Sequence, residues 1–357
     1  MSKLALALPL AALATAVACA SSTALSQDAP VPVIFSTDTA TGLSGGWVEG
    51  ASDIDDGLAI AMALDLPNLD VLGVVVTFGN NLMEPEFAVA QRVVEGMGAS
   101  VPVLRGAPRP LPEYQVQDHT GVAVDTACLN EGVTFMADAI AASDSPVTIL
   151  AIGPLTDPAC LALNRPDVTG NIERIVIIGG RERHQPLVIS GQFVPDFNLA
   201  VDFPAVRYLL EETTIPMRFM TFSVTDSVLI PADDRQFLCD SALALAADFF
   251  CPAILPRNNM WSEMFGRDGF HPWDQNAVYV TAVPDAYHCE PASYALVDCT
   301  AADCAGHDPS DPSQLAMEPG QVWLTSDPSN TRIEACPAFA SDEAKRAFER
   351  AVLDFAR

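Results

Sequence analysis

Between residues 32 and about 225, short runs of branched apolar residues alternate with longer helix-compatible stretches, and this alternation constrains the fold more than any other feature. VPVIFST begins at Val31 and the Val-rich LDVLGVVVTFGN at Leu69; VPVLRG, VTILAIG, IERIVIIGG and PMRFMTF follow. Between them lie DDGLAIAMAL, EPEFAVAQRVVEGMG (closed by Gly96 and Gly98), residues 132–142, LTDPACLALN and DFPAVRYLLEE. A strand that is apolar on both faces belongs in a sheet covered on both sides, because βαβ crossovers lay helices over each face. The chain is therefore expected to be an α/β protein: a mostly parallel open sheet with helices on both faces. ADDRQFLCDSALALAADFF, from Ala232, reads as one more helix. The Cys-, Asp- and Pro-rich stretch around 284–319 reads as irregular surface structure with a disulfide, inside a single domain of residues 28–357.

Residues 1–27 have the form of a signal peptide: Lys3, then an apolar core from Leu4 to Val17 that is too short to span a bilayer. Two processing routes fit. AVAC resembles a lipobox, which would lipidate Cys19; small residues around Ala18–Ala20 suit an ordinary signal peptidase. No later segment is apolar enough for a transmembrane span. Eight further cysteines, an even number, predict disulfides in an oxidising compartment. Cys239 with Cys251 and Cys299 with Cys304 are natural close pairs, and no Cys-x-x-Cys spacing points to zinc. The net charge of -28 repels nucleic-acid backbones and anionic membranes. These features describe an exported protein (periplasmic, outer-membrane-anchored or secreted) acting on a small neutral molecule, and they are compatible with a homo-oligomer.

Ligands of open α/β sheets bind beyond the carboxyl ends of the strands. After the first strand stand Asp38 and, beyond a Gly-rich stretch, Asp53, Asp55 and Asp56; after the second, Asn80 and Asn81. GPLT follows VTILAI, and DFN (Asp196–Asn198) follows the Gly179–Gly180 pair. These are acids and amides with almost no basic residues, a set suited to a hard cation and a polyol rather than a phosphate. Carboxylates this close repel one another unless a cation intervenes, and calcium takes six to eight oxygen ligands. The plainer explanation is that Asp53 or Asp55 merely caps a helix, where the helix dipole favours anions.

The ordered matches then identify a family. VIFSTD with DIDDGLAIAMAL, VTFGNN, LAIGPLTDPACLAL, IERIVIIGG with DFNLAVDFPAV, and HPWDQNAVYV together resemble the inosine-uridine-preferring nucleoside hydrolases over residues 31–285. The resemblance implies a calcium-dependent hydrolase of the N-glycosidic bond of ribonucleosides. It implies that Asp38, Asp56 and Asp274 hold Ca²⁺ by side chain and Ile152 by its carbonyl, and that Asp38 takes the proton of the attacking water. Asp55, Asn80, Asp196 and Asn198 would hold the sugar hydroxyls.

This chain departs from the family pattern in four places. TATGLSGGWVEGASDI (39–54) separates Asp38 from Asp55; it either loops out, leaving both ends in place, or covers the mouth with Trp47. Making Asp53 the ligand instead leaves too short a spacing to Asp55. Asp196 stands where the family has Glu. Gln192 stands near a family Asn, with Ile178 in place of Met. Trp273 replaces the His before the metal-binding Asp, offering an aromatic plate to the substrate, while His271 remains a nearby proton donor. Trp261, Phe265 and Phe270 are further candidates for the base pocket. Two rivals stand beside a working hydrolase: a sugar-binding protein without turnover, and a metal-dependent phosphohydrolase.

Overall fold

A computed structural model describes residues 29–45, 50–111, 128–255, 258–300, 304–308 and 310–357. The expected signal peptide, Cys19 and Trp47 lie outside these residues. The apolar runs form β1 (Val31–Thr37), β2 (Leu69–Val76), β3 (Val103–Arg105), β4 (Val147–Ala151), β5 (Ile172–Ile178) and β6 (Arg181–Glu182). A small hairpin of β7 (Val188–Ile189) and β8 (Gln192–Phe193) precedes β9 (Met217–Met220). β10 (Ile230–Pro231) pairs with β11 (Gly269–Phe270), and the chain closes with β12 (Tyr287–Asp298), β13 (Gly320–Ser326) and β14 (Ile333–Phe339).

Ten strands make one sheet in the order β3-β2-β1-β4-β5-β9-β14-β12-β13-β6. Neighbours are parallel from β3 through β14, antiparallel on both sides of β12, and parallel again between β13 and β6. The chain winds outward from β1 to β3, then returns to β4 on the other side of β1. That reversal creates a crevice at the carboxyl ends of β1 and β4, the topological switch point where open α/β sheets bind ligands.

Successive strand residues serve opposite cores, as a pleated strand dictates. Val33, Phe35, Val176 and Ile178 face a core shared with the helices Asp55–Asp65, Met83–Gly96 and Gln275–Ala282. Ile34, Val75, Ile175 and Ile177 face the other, under Glu131–Ala142, Thr156–Asn164 and Phe203–Glu212. Helix Asp55–Asp65 is buried from Asp55 to Ala63, so its acidic first turn is driven into the crevice by its apolar body. Truncating Leu58, fully buried there, would cost about 2–5 kcal/mol.

Two expectations fail. Residues 232–250 do not form one helix; they break into a 3-10 turn at Ala232–Arg235, a short helix at Gln236–Cys239 and a π-turn at Ala246–Phe250. Ser241 Oγ accepts from Leu243 N at 3.1 Å and offers the backbone a turn instead of a helical ladder. The stretch around 284–319 is not irregular throughout: β12 runs for 12 residues through it. Its alternation was disguised by Pro291, which sits next to the register shift at His288/Glu290, where a strand tolerates proline.

All eight cysteines beyond the leader are paired: Cys128–Cys160, Cys239–Cys251, Cys289–Cys336 and Cys299–Cys304. Among the described residues, no helix is long and apolar enough to cross a membrane.

Candidate active site

Four buried carboxylates meet at the switch point. Asp38 follows β1, Asp55 and Asp56 open helix Asp55–Asp65, and Asp274 directly precedes helix Gln275–Ala282. Of the 39–54 insertion between the first two, Gly45, Ala51, Ser52 and Asp53 line the cavity above the carboxylates. Ser44 bridges Ala51, and Thr41 Oγ1 donates to Ile54 O at 3.1 Å. Its ends therefore return to one place: Thr37 Oγ1 donates to Asp56 Oδ1 at 2.5 Å, and Asp38 N lies 3.3 Å from the same oxygen. Carboxylate oxygens of Asp55, Asp56 and Asp274 lie within 4.8 Å of one another. Asp274 N donates to Asp55 Oδ2 at 3.2 Å. Asn80 joins the group twice, through Nδ2 to Asp56 Oδ2 at 3.1 Å and through its backbone N to Asp38 Oδ2 at 2.9 Å.

Two glycines make room for Asp38. A Cβ on Gly79 would fall on Asp38 Oδ2, and one on Gly153 would lie 2.7 Å from Oδ1. That Oδ1 is buried and has no hydrogen-bond partner. Burial drives the Asp38, Asp55 and Asp274 carboxyls well above the ordinary range, and each is pushed further by its neighbours: Asp56 on Asp38, Asp53 and Asp56 on Asp55, and Asp55 and Asp56 on Asp274. Burial lifts Asp56 to about 6, with the Thr37 hydroxyl pulling the other way. No described residue lining the cavity above them is Lys, Arg or His. Charge of one sign in a dry crevice calls for a bound cation. The orphaned oxygen and the three converging carboxylates fit an oxygen-ligated divalent ion.

That cavity has a volume of about 830 Å³. Asp55, Asp56, Asn80, Ile152, Gln192, Asp196, Asn198, Trp273 and Asp274 all line it, and Asp38 lies buried beneath. The Ile152 carbonyl accepts from Asn198 Nδ2 at 2.7 Å. Gly180 N donates to Asp196 Oδ2 at 2.8 Å, and burial raises Asp196 to about 6, with Arg181 opposing. Exposed Gln192, on the hairpin, donates to Met264 O at 3.2 Å. Trp273 meets Phe222 and Trp261 edge-on, at 6.0 and 5.0 Å between ring centres. Trp261 and Phe265 line the cavity as well, whereas Phe270 is buried in β11 opposite Ile230.

His271 does not line the cavity. Its ring packs 4.7 Å from Trp261, with Nδ1 3.7 Å from Asp226 Oδ1. Burial, then Arg267, lowers its pKa to about 4, so the imidazole is neutral at pH 7. Asp53 is occupied otherwise: its Oδ1 accepts from Ile54 N at 2.7 Å and from Trp261 Nε1 at 3.0 Å. With Ala51 N donating to Glu263 Oε2 at 2.9 Å, this bond ties the insertion to helix Met260–Phe265. Glu86 escaped sequence reading altogether. It is fully buried, accepts from Asn81 N, and is pushed up to about 10 by burial, so it stands as a neutral acid behind the Asn80 loop.

An acidic crevice beneath a cavity with amides on its floor and aromatic rings on its wall, at the switch point of a mostly parallel sheet, is an arrangement suited to a cation and a sugar that bears a planar group. The chain belongs to the inosine-uridine preferring nucleoside hydrolase family, whose sequence model matches residues 33–341. It is similar to the pyrimidine-specific ribonucleoside hydrolase RihB of Escherichia coli (strain K12), with 24% identity over 293 residues, 78% of this chain and 88% of that one. Its fold is similar to that of the purine-preferring ribonucleoside hydrolase from Gardnerella vaginalis, with TM-score 0.66, 19% identity and coverage of 91% and 99% of the two chains. A plant nucleoside hydrolase gives TM-score 0.67, 16% identity and the same coverage. At these identities the two structures speak for the fold alone.

Proposed function

We propose that this protein is an exported, calcium-dependent ribonucleoside hydrolase that uses water as nucleophile. The observation that carries the reading is the meeting of Asp38, Asp55, Asp56 and Asp274 in a buried crevice, with no cationic side chain among the described residues of its wall. Calcium, held by Asp38, Asp56, Asp274 and the Ile152 carbonyl, would supply a positive centre that acidifies and directs a water. Asp38 Oδ1, buried and without a partner, receives that water's proton. Asp55, Asn80, Asp196 and Asn198 grip the ribose hydroxyls, and orientation of this kind is worth several kcal/mol. The C–N bond breaks through an oxocarbenium-like transition state, whose positive charge the surrounding carboxylates favour. Trp273 lies against the base as an aromatic plate. His271, neutral and packed on Trp261, takes no part in proton transfer in this scheme. Four disulfides support an oxidising compartment and hence export.

One observation favours a second reading, a nucleoside-binding protein without turnover: with Trp273 at the cavity and His271 buried aside, no histidine among the described residues lines the cavity. Ribose release separates the two. Uridine, cytidine, inosine, adenosine and guanosine are each incubated with the protein, with calcium and with excess EGTA. The hydrolase reading expects base and ribose from at least one nucleoside in calcium, loss in EGTA and recovery on readdition. Full rate in excess chelator defeats the metal role, and binding without release establishes the second reading.

A further inference from the structure

The Asp196 side of the cavity is backed by a fully buried ion pair. Arg181, on β6, and Glu318, just before β13, are both 0% exposed, and Arg181 Nη2 donates to Glu318 Oε1. The same oxygen accepts from Asp196 N at 3.0 Å, while Oε2 accepts from Gln321 Nε2 at 3.0 Å. Gln321 grips the backbone of Ala305 in both directions, accepting from its N at 3.1 Å and donating to its O at 2.9 Å. Ala305 follows Cys304, which is bonded to Cys299. One end of this chain of contacts is a cross-linked loop, and the other is the backbone of a cavity-wall carboxylate.

Stability is a weak reason for such a pair. Taking two charges out of water offsets most of what their attraction gains, and apolar side chains of similar volume are commonly at least as stable. Arg181 Nε and Nη1 are moreover buried without partners, which adds to the cost. What the pair supplies is geometry. Glu318 holds the amide of Asp196, and Gly180 N, one residue before Arg181, holds its carboxylate at 2.8 Å. An aspartate reaches less far than a glutamate, so its backbone must be set closely for the carboxylate to meet a hydroxyl. We propose that Glu318, clamped by Arg181 and Gln321, is a positioning residue that sets Asp196 against the sugar. This rests on the sugar-binding role given to Asp196 above. The charges of the pair act on Asp196 in opposite directions: Arg181 opposes, and Glu318 adds to, the burial that raises it to about 6.

The test measures kcat and KM on whichever of the five nucleosides the full chain hydrolyses fastest, for Asp196→Ala, Glu318→Gln and the double variant. Glu318→Gln is expected to lower kcat/KM about 10- to 100-fold, chiefly through KM. In the Asp196→Ala background the same change is expected to cost less than about twofold, because coupled residues are not additive. Losses that multiply in the double variant overturn the positioning role and leave the sugar role intact. An Asp196→Ala variant with wild-type kcat/KM overturns the sugar role and this one with it, as does hydrolysis of none of the five. Should Glu318→Gln fail to fold, Arg181→Met with Glu318→Leu replaces the pair by apolar side chains. The expected result is a protein that still unfolds cooperatively on heating, with kcat/KM at the Asp196→Ala level; wild-type kcat/KM in that variant overturns the proposal.

Discussion

Gly153→Ala should disable the site while leaving the fold in place. Gly153 follows β4 and directly faces Asp38. An added Cβ would lie 2.7 Å from Asp38 Oδ1 and 2.9 Å from Asp38 N, where ordinary contact begins at 3.4 Å. Relief therefore demands a shift of about 0.7 Å. Rotating the carboxylate cannot supply it alone, since the clash includes the backbone nitrogen. No left-handed φ is recorded at Gly153, so alanine brings no backbone strain there. A misplacement of about 1 Å costs up to about 10²-fold in rate, so we expect kcat/KM to fall about 10- to 100-fold. Overpacking should cost about 1–3 kcal/mol of stability, which leaves a folded protein. Gly79→Ala, whose Cβ would fall on Asp38 Oδ2 itself, should be at least as damaging. Gly170→Ala is the control, because nothing lies within 4 Å of its added Cβ. The assay is ribose release from the preferred nucleoside, alongside thermal unfolding of all three variants. A folded Gly153→Ala enzyme with more than half of the wild-type kcat/KM would refute the claim that Asp38 is held in a crevice this tight.

Asp38→Asn should fold and lose about 10²- to 10⁴-fold in kcat, the ordinary worth of a positioned base; near-wild-type turnover removes Asp38 from that role. Asp157 is buried and raised to about 6, chiefly by burial, while its Oδ1 accepts from Ala107 N and Asn130 Nδ2, both at 2.9 Å. A carboxyl raised in the folded state stabilises below the unfolded value of 3.8 and loses that contribution as pH rises through about 6. Asp157→Asn keeps the acceptor and removes the buried charge. It should therefore unfold at higher denaturant than wild type at pH 7.5, by up to about 3 kcal/mol, with the gain gone at pH 4; a gain at both pH values contradicts the sign. Trp261→Phe removes the donor to Asp53 Oδ1, one of the two bonds that tie the insertion to helix Met260–Phe265 (Ala51 N to Glu263 Oε2 remains), so protease cleavage between residues 39 and 54 should quicken several-fold. An unchanged cleavage rate shows that the bond does not hold the insertion.

Much of the candidate site was legible because each member stands at a strand end or a helix start. Asp38 after VPVIFST and Asn80 after LDVLGVVVTFG are placed by local pattern alone, since an apolar strand must stop where polar side chains take over. Asp274 was found by its motif rather than by any pattern of period. The partners that hold these residues were not legible: Trp261 reaches Asp53 across 208 positions and Glu318 reaches Asp196 across 122. Neither pairing leaves a local trace, because a hydrogen bond between distant segments imposes no periodicity on either. β12 was missed for a different reason, its alternation being broken by a proline at a bulge.

By itself, then, the chain determined its layers. Doubly apolar strands alternating with helices admit little besides a covered parallel sheet, and the acids at the strand ends follow from that register. Tertiary structure decided which acids meet. Only the reversal of strand order beside β1 brings Asp38, Asp56 and Asp274 into one dry crevice, where desolvation and mutual repulsion turn ordinary carboxylates into a site that calls for a cation. Burial is a property of the assembled fold, and no stretch of sequence carries it alone.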